Sequence, residues 1–302
     1  MNSKKRILQP AVVALIVLST IWGYNWVVMK ECLRYSGALD FAAMRTFFGA
    51  IGLFVLLLWR RKPLRPKKIR WTIFLGLLST TGCIGFVTVA LVAGGVGKTA
   101  ILVYTMPFFA MIMARPLLGE YISGLQWVAV ILAAAGLMTI MEPWKLQSTT
   151  ISTILALLSS ISWAGSAIVM KIMRKTSDYD LVSLSAWQML FGSIPLIILA
   201  LTIPQRPIEW SWYFTGALLY TSVIGQSVTL LLWFYILNKL PVGVASMGTL
   251  ATPVIGVTAA SIQLGDQPSM LEGAGMILIL SALAILSYHG IRQHREVKDI
   301  IP

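Results

Sequence analysis

Arg45 is the one charged residue that falls well inside a long apolar stretch of this 302-residue chain. A guanidinium ion in a hydrocarbon environment is costly, so an ion placed there is by default a functional candidate. Its planar fork of N–H donors suits a carboxylate, and we predict that Arg45 binds such a group on a substrate. A structural alternative is open, because Arg45 lies about one turn inside its span, from where it could reach the headgroups or pair with Asp40.

Amide and aromatic side chains inside other apolar stretches form the rest of the predicted substrate site. Buried amides need partners in a lipid environment, so we expect them to face the helix bundle or a wet cavity. Gln188 also aligns with Arg45 at a spacing of 143 residues. Packing between helices and anchoring at the membrane interface are the alternatives for these residue types. The predicted site residues besides Arg45 are Asn25, Trp22, Tyr104, Trp163, Gln188 and Gln226.

The residues that enzymes and metal sites need are sparse and scattered. His289 and His294 are the two histidines, and they fall at the end of the last apolar stretch and beyond it. Cys32 and Cys83 lack metal-ligand spacing, and the eleven acidic residues fall in loops, tails or helix ends. We therefore predict no catalytic residue, no metal and no cofactor, and a protein that is not an enzyme.

The elements that must position the site residues are membrane-spanning helices. Hydrophobic residues make up 57% of the chain and charged residues 12%, with a mean hydropathy of +0.81, whereas soluble domains carry roughly 25% charged residues. Ten apolar runs can cross a hydrocarbon core of ~30 Å as helices, so the predicted fold is an all-α integral membrane protein. The predicted spans are 11–29, 41–59, 71–93, 99–114, 124–141, 152–172, 182–203, 212–236, 243–263 and 271–289.

The net charge of +13 is distributed by side of the membrane. Eighteen Lys and Arg residues fall at the chain ends and in the even-numbered loops, and five fall on the other side. The positive-inside rule therefore predicts that both termini are cytoplasmic, which requires an even number of spans. Segment 60–70 holds seven of these cations, and we interpret it as an orientation signal in contact with headgroups rather than an RNA site.

The chain contains a duplication that divides it into two five-span halves, 1–145 and 146–302. Residues 22–30 match residues 163–171 at a spacing of 141, and several further anchors follow in the same order. Because each half has an odd number of spans, the halves must cross the membrane in opposite senses. Such inverted repeats are typical of transporters that work by alternating access.

Pro107 and Pro253 lie at corresponding places in spans four and nine, 146 residues apart. A proline inside a helix removes a backbone hydrogen bond and can bend the helix. We predict that both prolines break their helices and act in gating, and a packing kink without a ligand nearby is the alternative.

Short motifs in each half carry a resemblance to a known family. They are Ile21-Trp22-Gly23-Tyr24-Asn25, Ala43-Met44-Arg45-Thr46-Phe47-Phe48, and Pro107 followed by Leu118-Gly119-Glu120, with Pro253 and Leu264-Gly265-Asp266 in the second half. With these residues the chain resembles the drug/metabolite transporter (DMT) superfamily, and within it the EamA-type exporters, over nearly its whole length. The resemblance implies an inner-membrane carrier of bacteria or archaea with a 5+5 inverted repeat and both termini inside.

The predicted function is secondary transport that exports small organic metabolites, such as amino acids or related compounds, across the bacterial inner membrane. Import of a small metabolite or vitamin is an alternative, because some proteins of the resembled superfamily are importers. A membrane-embedded enzyme acting on lipids is another, although it would need a cluster of acids, histidines or nucleophiles at one depth. The predicted partners are a small-molecule substrate and the lipid bilayer, with protons as a candidate coupling ion, no nucleic acid, and a monomer or homodimer as the assembly.

Overall fold

The computed structural model describes residues 3–62, 64–94, 96–121, 124–141, 150–176, 178–255, 258 and 269–299. Every regular element in these residues is a helix. The first π segment (Leu77–Gly85) joins α3 to α4, and the second π segment (Val223–Val228) joins α10 to α11. In chain order the α-helices are α1 (Ser3–Cys32), α2 (Ala38–Trp59), α3 (Ile69–Gly76), α4 (Phe86–Gly94), α5 (Val96–Val103), α6 (Met106–Leu118), α7 (Leu125–Met141), α8 (Thr150–Thr176), α9 (Leu181–Thr202), α10 (Trp212–Ser222), α11 (Thr229–Lys239), α12 (Val242–Gly248) and α13 (Met270–Asp299).

Six helical stretches of the described residues are long and apolar enough to cross a membrane. Their ends agree with the predicted spans to within four residues, because the hydrocarbon thickness sets the length of an apolar helix. The protein is therefore all-α over its described residues and of integral membrane type, as predicted. The six are Pro10–Cys32, Ala38–Trp59, Ile69–Val92, Thr150–Thr176, Leu181–Thr202 and Trp212–Lys239. Four shorter apolar stretches are Met106–Leu118, Leu125–Thr139, Val242–Ile255 and Gly273–Ile285.

The helices pack mainly across the two predicted halves. α2 lies along α9, α7 along α13, α1 along α11, and α6 against α12, while α8 packs against the first π segment and α4. In terms of the predicted spans, span 2 pairs with span 7, span 5 with span 10, span 1 with span 8, span 4 with span 9, and span 3 with span 6. These pairs map onto one another when the two halves are exchanged, but the packing of α5 and α6 on α8 has no equally close counterpart between α12 and α1.

The helices of predicted spans four and nine are interrupted at matching places. The chain turns at residues 104–105, and Pro107 then occupies the first turn of α6. It turns again at residues 249–250 and is helical over 251–255, with Pro253 near the start. A first turn tolerates proline, because its backbone N–H groups have no intrahelical acceptor. Each proline thus follows its break, while the Leu264-Gly265-Asp266 motif lies outside the described residues.

The two π segments place one distortion in predicted span three and one in predicted span eight. A π turn fits an extra residue into a helix and is often found at functional sites. Beside the first segment, Gly76 crosses α9 at Gly192 so closely that a Cβ on either glycine would strike the backbone of the facing helix. Glycine at both positions therefore permits the close helix crossing that holds this segment in place.

The basic segment 60–70 is bound to the connection between α8 and α9. Lys67 Nζ donates to the carbonyl of Asp178 at 2.7 Å, and Lys68 Nζ donates to Thr176 Oγ1 at 2.9 Å. The segment predicted to contact headgroups therefore also has a protein partner.

Candidate functional site

A cavity of about 100 Å³ lies where α1, α2, α8, α11 and the two π segments meet. Six of the seven residues predicted to bind substrate line it, although they come from distant parts of the chain. Their convergence follows from the pairing of spans across the halves. The lining residues are Trp22, Asn25, Trp26, Met29, Arg45, Ser79, Cys83, Ile84, Val87, Val103, Tyr104, Trp163, Gln226, Thr229, Leu230 and Trp233.

Arg45 is held inside the bundle with 2% of its surface exposed. Its Nη2 donates to Gln226 Oε1 at 2.9 Å, and its Cζ lies 5.6 Å from the centre of the Phe41 ring. Its Nε and Nη1 have no hydrogen-bond partner, and no acid pairs with it among the described residues. The Arg45 side chain therefore neither pairs with Asp40 nor reaches the headgroups. A buried cation with two unpaired nitrogens can accommodate an anionic group of a ligand.

The buried face of α2 positions Arg45. Phe41, Arg45 and Gly49 recur at every fourth residue, so they lie on one face of the helix. Ser227 Oγ donates to the carbonyl of Gly49 at 2.8 Å, which ties α2 to the second π segment one turn away from Arg45. This contact holds the guanidinium against Gln226.

Asn25 reaches the residue next to Gln226 on the second π segment. A Cβ at Gly225 would collide with Asn25 Oδ1, so glycine allows the amide to come this close. Asn25 Nδ2 contacts Met29 Sδ at 3.2 Å, and Oδ1 has no hydrogen-bond partner among the described residues. Because Gly225 and Gln226 are consecutive, Asn25 and Arg45 approach the same short segment. Both residues line the cavity, and each has polar atoms without a hydrogen-bond partner among the described residues.

Three tryptophans form an aromatic wall of the cavity. The ring centres of Trp22 and Trp163 are 5.1 Å apart in an edge-to-face arrangement. Trp233 lies 6.2 Å from Trp22 and 5.8 Å from Trp163. Trp22 and Trp163 are the matched residues of the two sequence halves, and here they touch. Such a wall suits the apolar body of a ligand or, at a ring face, a cationic group.

Tyr104 connects the cavity to the interrupted helix. It lies at the turn before α6, and its hydroxyl oxygen accepts a hydrogen bond from Trp26 Nε1 at 2.9 Å. Pro107 and Pro253 are buried but do not line the cavity. Tyr104 is thus the predicted site residue that lies both at the helix break and in the cavity wall.

Gln188 is the predicted site residue that does not line the cavity. Its Oε1 accepts from Thr80 Oγ1 at 3.3 Å, and its Nε2 donates to the carbonyl of Ser185 at 3.4 Å. The amide has hydrogen-bond partners between α9 and the first π segment, so Gln188 fits the alternative of packing between helices.

Several lining residues were not predicted. Trp233 falls close to the end of predicted span 212–236, where a tryptophan is typical of an interfacial anchor. The helix continues to Lys239, which places Trp233 deeper. Ser79 and Cys83 reach the cavity through the first π segment, and the glycines that bracket this segment were the signal that could have found them.

Comparison with known proteins places the chain in a family. Residues 9–141 and 150–288 each match the model of the EamA-like transporter family. The chain is 28% identical over 271 residues to the uncharacterized transporter YoaV of Bacillus subtilis, covering 88% of this chain and 92% of that one. It is 26% identical over 298 residues to a Salmonella typhimurium protein named a probable amino-acid metabolite efflux pump, covering 94% and 96%.

A crystal structure at 12% sequence identity superposes with a TM-score of 0.80, covering 94% of this chain and 99% of the other. That likeness concerns the fold alone. Because the family model matches most of the sequence, in two segments, the chain belongs to the EamA-like transporter family.

Proposed function

We propose that this protein is a secondary transporter that exports small organic metabolites, amino acids or related compounds, across the bacterial inner membrane. Membership of a transporter family supports transport as the activity. Relatives from Salmonella typhimurium and Escherichia coli named as probable amino-acid metabolite efflux pumps support export and this class of cargo. The proposed site is the cavity around Arg45.

The buried guanidinium of Arg45 is the observation that carries the substrate class. Leaving a buried donor without a partner costs about 1–3 kcal/mol, and more for a charged group. A carboxylate bound to one of the unpaired nitrogens, Nε or Nη1, lowers that penalty and neutralises the charge. The cargo therefore carries a carboxylate or an equivalent anion.

The other walls indicate the rest of the cargo. In this proposal Asn25 Oδ1, which lacks a partner among the described residues, accepts a hydrogen bond from a substrate ammonium group. The apolar part of the substrate packs on Trp22, Trp163 and Trp233. A carboxylate, an ammonium group and an apolar side chain together describe a neutral amino acid.

The proposed mechanism is alternating access by two inverted halves, 1–145 and 146–302, that together form ten spans. It is supported by the pairing of spans across the halves and by the matching breaks in two helices. The turns before Pro107 and Pro253 would act as the hinges, because interrupted helices near a central site are common in such carriers. The excess of cations at one side supports cytoplasmic termini.

Transport by the purified protein in liposomes tests the proposal. We would screen the common amino acids by counterflow, and then compare the best cargo with its decarboxylated amine and its deaminated acid. Transport of the amino acid but not of the amine is expected. Arg45→Gln should lower the rate at least about tenfold, because it removes the charged donor.

The matched control is Arg34→Gln. Arg34 is an exposed arginine whose side chain pairs with Glu31 at 3.2 Å, outside the cavity. This variant should transport as the wild type does. Equal transport by Arg45→Gln, or equal transport of the amine, would contradict the assigned site.

A further inference from the structure

A second and larger cavity, here called the lateral groove, lies between α2, the first π segment, α4 and α9. Its volume is about 670 Å³, and side chains such as Phe86, Val89 and Leu196 make its walls apolar. Val92 and Leu199 at its edge have 63% and 39% of their surface exposed. In a membrane these exposed apolar edges face the acyl chains, so the groove is accessible from the lipid.

One end of the lateral groove lies at the level of the membrane interface. Arg206 lines that end, and Trp210, Trp212 and Tyr213, which follow closely in the chain, have 62%, 94% and 53% of their surface exposed. Exposed tryptophan and tyrosine are typical of the headgroup level. The polar end of the groove is therefore at the depth of lipid headgroups.

The depth of the lateral groove matches one leaflet. Along span three its lining residues run from Val92 to Thr81, a helical rise of roughly 16 Å. This is about half the thickness of a ~30 Å hydrocarbon core. A groove of this depth accommodates one acyl chain running from the headgroups toward the bilayer centre.

Arg206 supplies a fixed cation at the headgroup end. Its Nη2 donates to the carbonyl of Leu33 and, at 3.0 Å, to the carbonyl of Ser36. These are neutral acceptors, and no acid pairs with Arg206 among the described residues. The guanidinium is thus held in position while its charge stays available to a phosphate.

We infer that the lateral groove binds an acyl chain of a phospholipid whose anionic headgroup lies against Arg206. Shape, depth and charge all fit that occupant. A polar metabolite does not fit the deeper part, where Thr81 already donates its hydroxyl to the carbonyl of Gly192 at 2.6 Å. The groove is therefore a lipid site and separate from the site of the cargo.

The position of the lateral groove links lipid binding to the central cavity. Thr81 and Gly85 of the first π segment line the groove, while Ser79 and Cys83 of the same segment line the cavity around Arg45. A bound acyl chain packs on the reverse side of the cavity wall. This link to transport rests on the proposed function, whereas lipid binding itself does not.

Native mass spectrometry of the purified full-length protein tests the inference. Phosphatidylglycerol and phosphatidylcholine with identical chains are titrated in turn, and the bound lipid is counted. Val89→Trp fills the groove and should lower binding of both lipids at least about fivefold, which corresponds to losing the burial of only one or two CH₂ groups. Val55→Trp is the matched control, because Val55 is 60% exposed on α2 and does not line the groove.

A charge variant separates the headgroup from the chain. Arg206→Gln should weaken phosphatidylglycerol binding about fivefold, since one cation near the surface contributes about 1 kcal/mol. It should weaken phosphatidylcholine binding less, because the choline ammonium group offsets the charge of that lipid's phosphate. Arg34 lies on the connection between α1 and α2, next to the groove residue Leu33, but does not line the groove. Arg34→Gln should therefore change the binding of neither lipid. If Val89→Trp does not fold, Ile203→Trp blocks the mouth, where Ile203 is already 44% exposed.

Two results would overturn the lipid site. One is equal lipid binding by the groove-filling variant and Val55→Trp, and the other is an unchanged preference for phosphatidylglycerol in Arg206→Gln. Because binding is measured without transport, failure here leaves the proposed function standing. Loss of transport in Arg45→Gln with normal lipid binding would keep the two sites distinct.

Discussion

Arg45 carries its charge in the bundle interior with one amide and one aromatic ring as its partners. Partners this weak do not repay the desolvation of an ion. We expect the double variant Arg45→Met/Gln226→Met to be more stable than the wild type by about 1–3 kcal/mol, because it replaces the charge and its amide with apolar side chains. Thermal unfolding in detergent measures this difference, and transport should be lost.

The single variant Gln226→Met is the control for that prediction. It leaves the Arg45 guanidinium with no hydrogen-bond acceptor among the described residues, and it should unfold at a lower temperature than the wild type. A double variant less stable than the single one would mean that the charge is better solvated than its contacts indicate.

Gly225 keeps Asn25 at the cavity, and its substitution should disturb the amide. In Gly225→Ala the new Cβ would collide with Asn25 Oδ1, so we expect the amide to move and the transport rate to fall several-fold. Gly216→Ala, in the same span, meets no atom within 4 Å and is the matched control. It should transport normally and gain about 0.5–1 kcal/mol of stability, because alanine favours the helix. Equal rates for the two variants would show that the position of Asn25 does not matter.

At this scale residue type identified six of the residues that line the cavity and also selected Gln188, which lies elsewhere. Polar groups in lipid must converge on partners, so Arg45, Asn25 and Gln226 could be placed at one site from their types alone. Gln188 satisfies the same requirement with Thr80 at a helix crossing. Residue type alone does not distinguish an amide that lines a cavity from one that packs between helices, because either position can supply hydrogen-bond partners.

Glu120 connects the ends of three helices, and its loss should weaken that junction. It follows α6, accepts from the backbone N–H of Val242 at the start of α12 at 2.7 Å, and lies 3.9 Å from Lys171 Nζ of α8. Glu120→Ala should lower the stability by about 1–2 kcal/mol, as removal of a helix cap does. Glu120→Gln keeps an acceptor for Val242 and should lose at most about 1 kcal/mol. Thermal unfolding at low and high salt measures both, and equal losses would assign the effect to the ion pair alone.

Helix lengths were predictable from the sequence, but their internal distortions were not. Membrane thickness imposes a length on every apolar run, so the bounds of α2 and α9 follow from hydropathy. The π segments depend on packing: the first is held where Gly76 crosses Gly192, a contact between residues more than a hundred positions apart. Local sequence patterns do not indicate such a crossing, although the two prolines did indicate the helix breaks near Pro107 and Pro253.

The orientation of the whole molecule can be measured by cysteine labelling. In a background with Cys32→Ser and Cys83→Ser, both buried positions, Trp212→Cys should react with an impermeant maleimide in intact cells. Arg60→Cys should react only after the cells are permeabilised, because the positive-inside rule places the segment 60–70 in the cytoplasm. The reverse pattern would place both termini outside. Equal labelling of both positions in intact cells would contradict a single orientation.

The hydrogen bond between Arg45 and Gln226 joins residues 181 positions apart in the chain. A ribosome adds about 5–20 residues per second, so roughly 9–36 s pass between the synthesis of the guanidinium and that of its amide partner. For most of that time α2 has neither Gln226 nor α9 to pack against, because α9 begins 136 residues after Arg45. The first five spans must therefore wait in the membrane, or in the insertion machinery, with a cation and a helix face uncovered. A nascent chain that stalls at this stage exposes the cation and the helix face to the proteases that remove incomplete membrane proteins. The yield of assembled protein then depends on the rate of elongation relative to the rate of degradation.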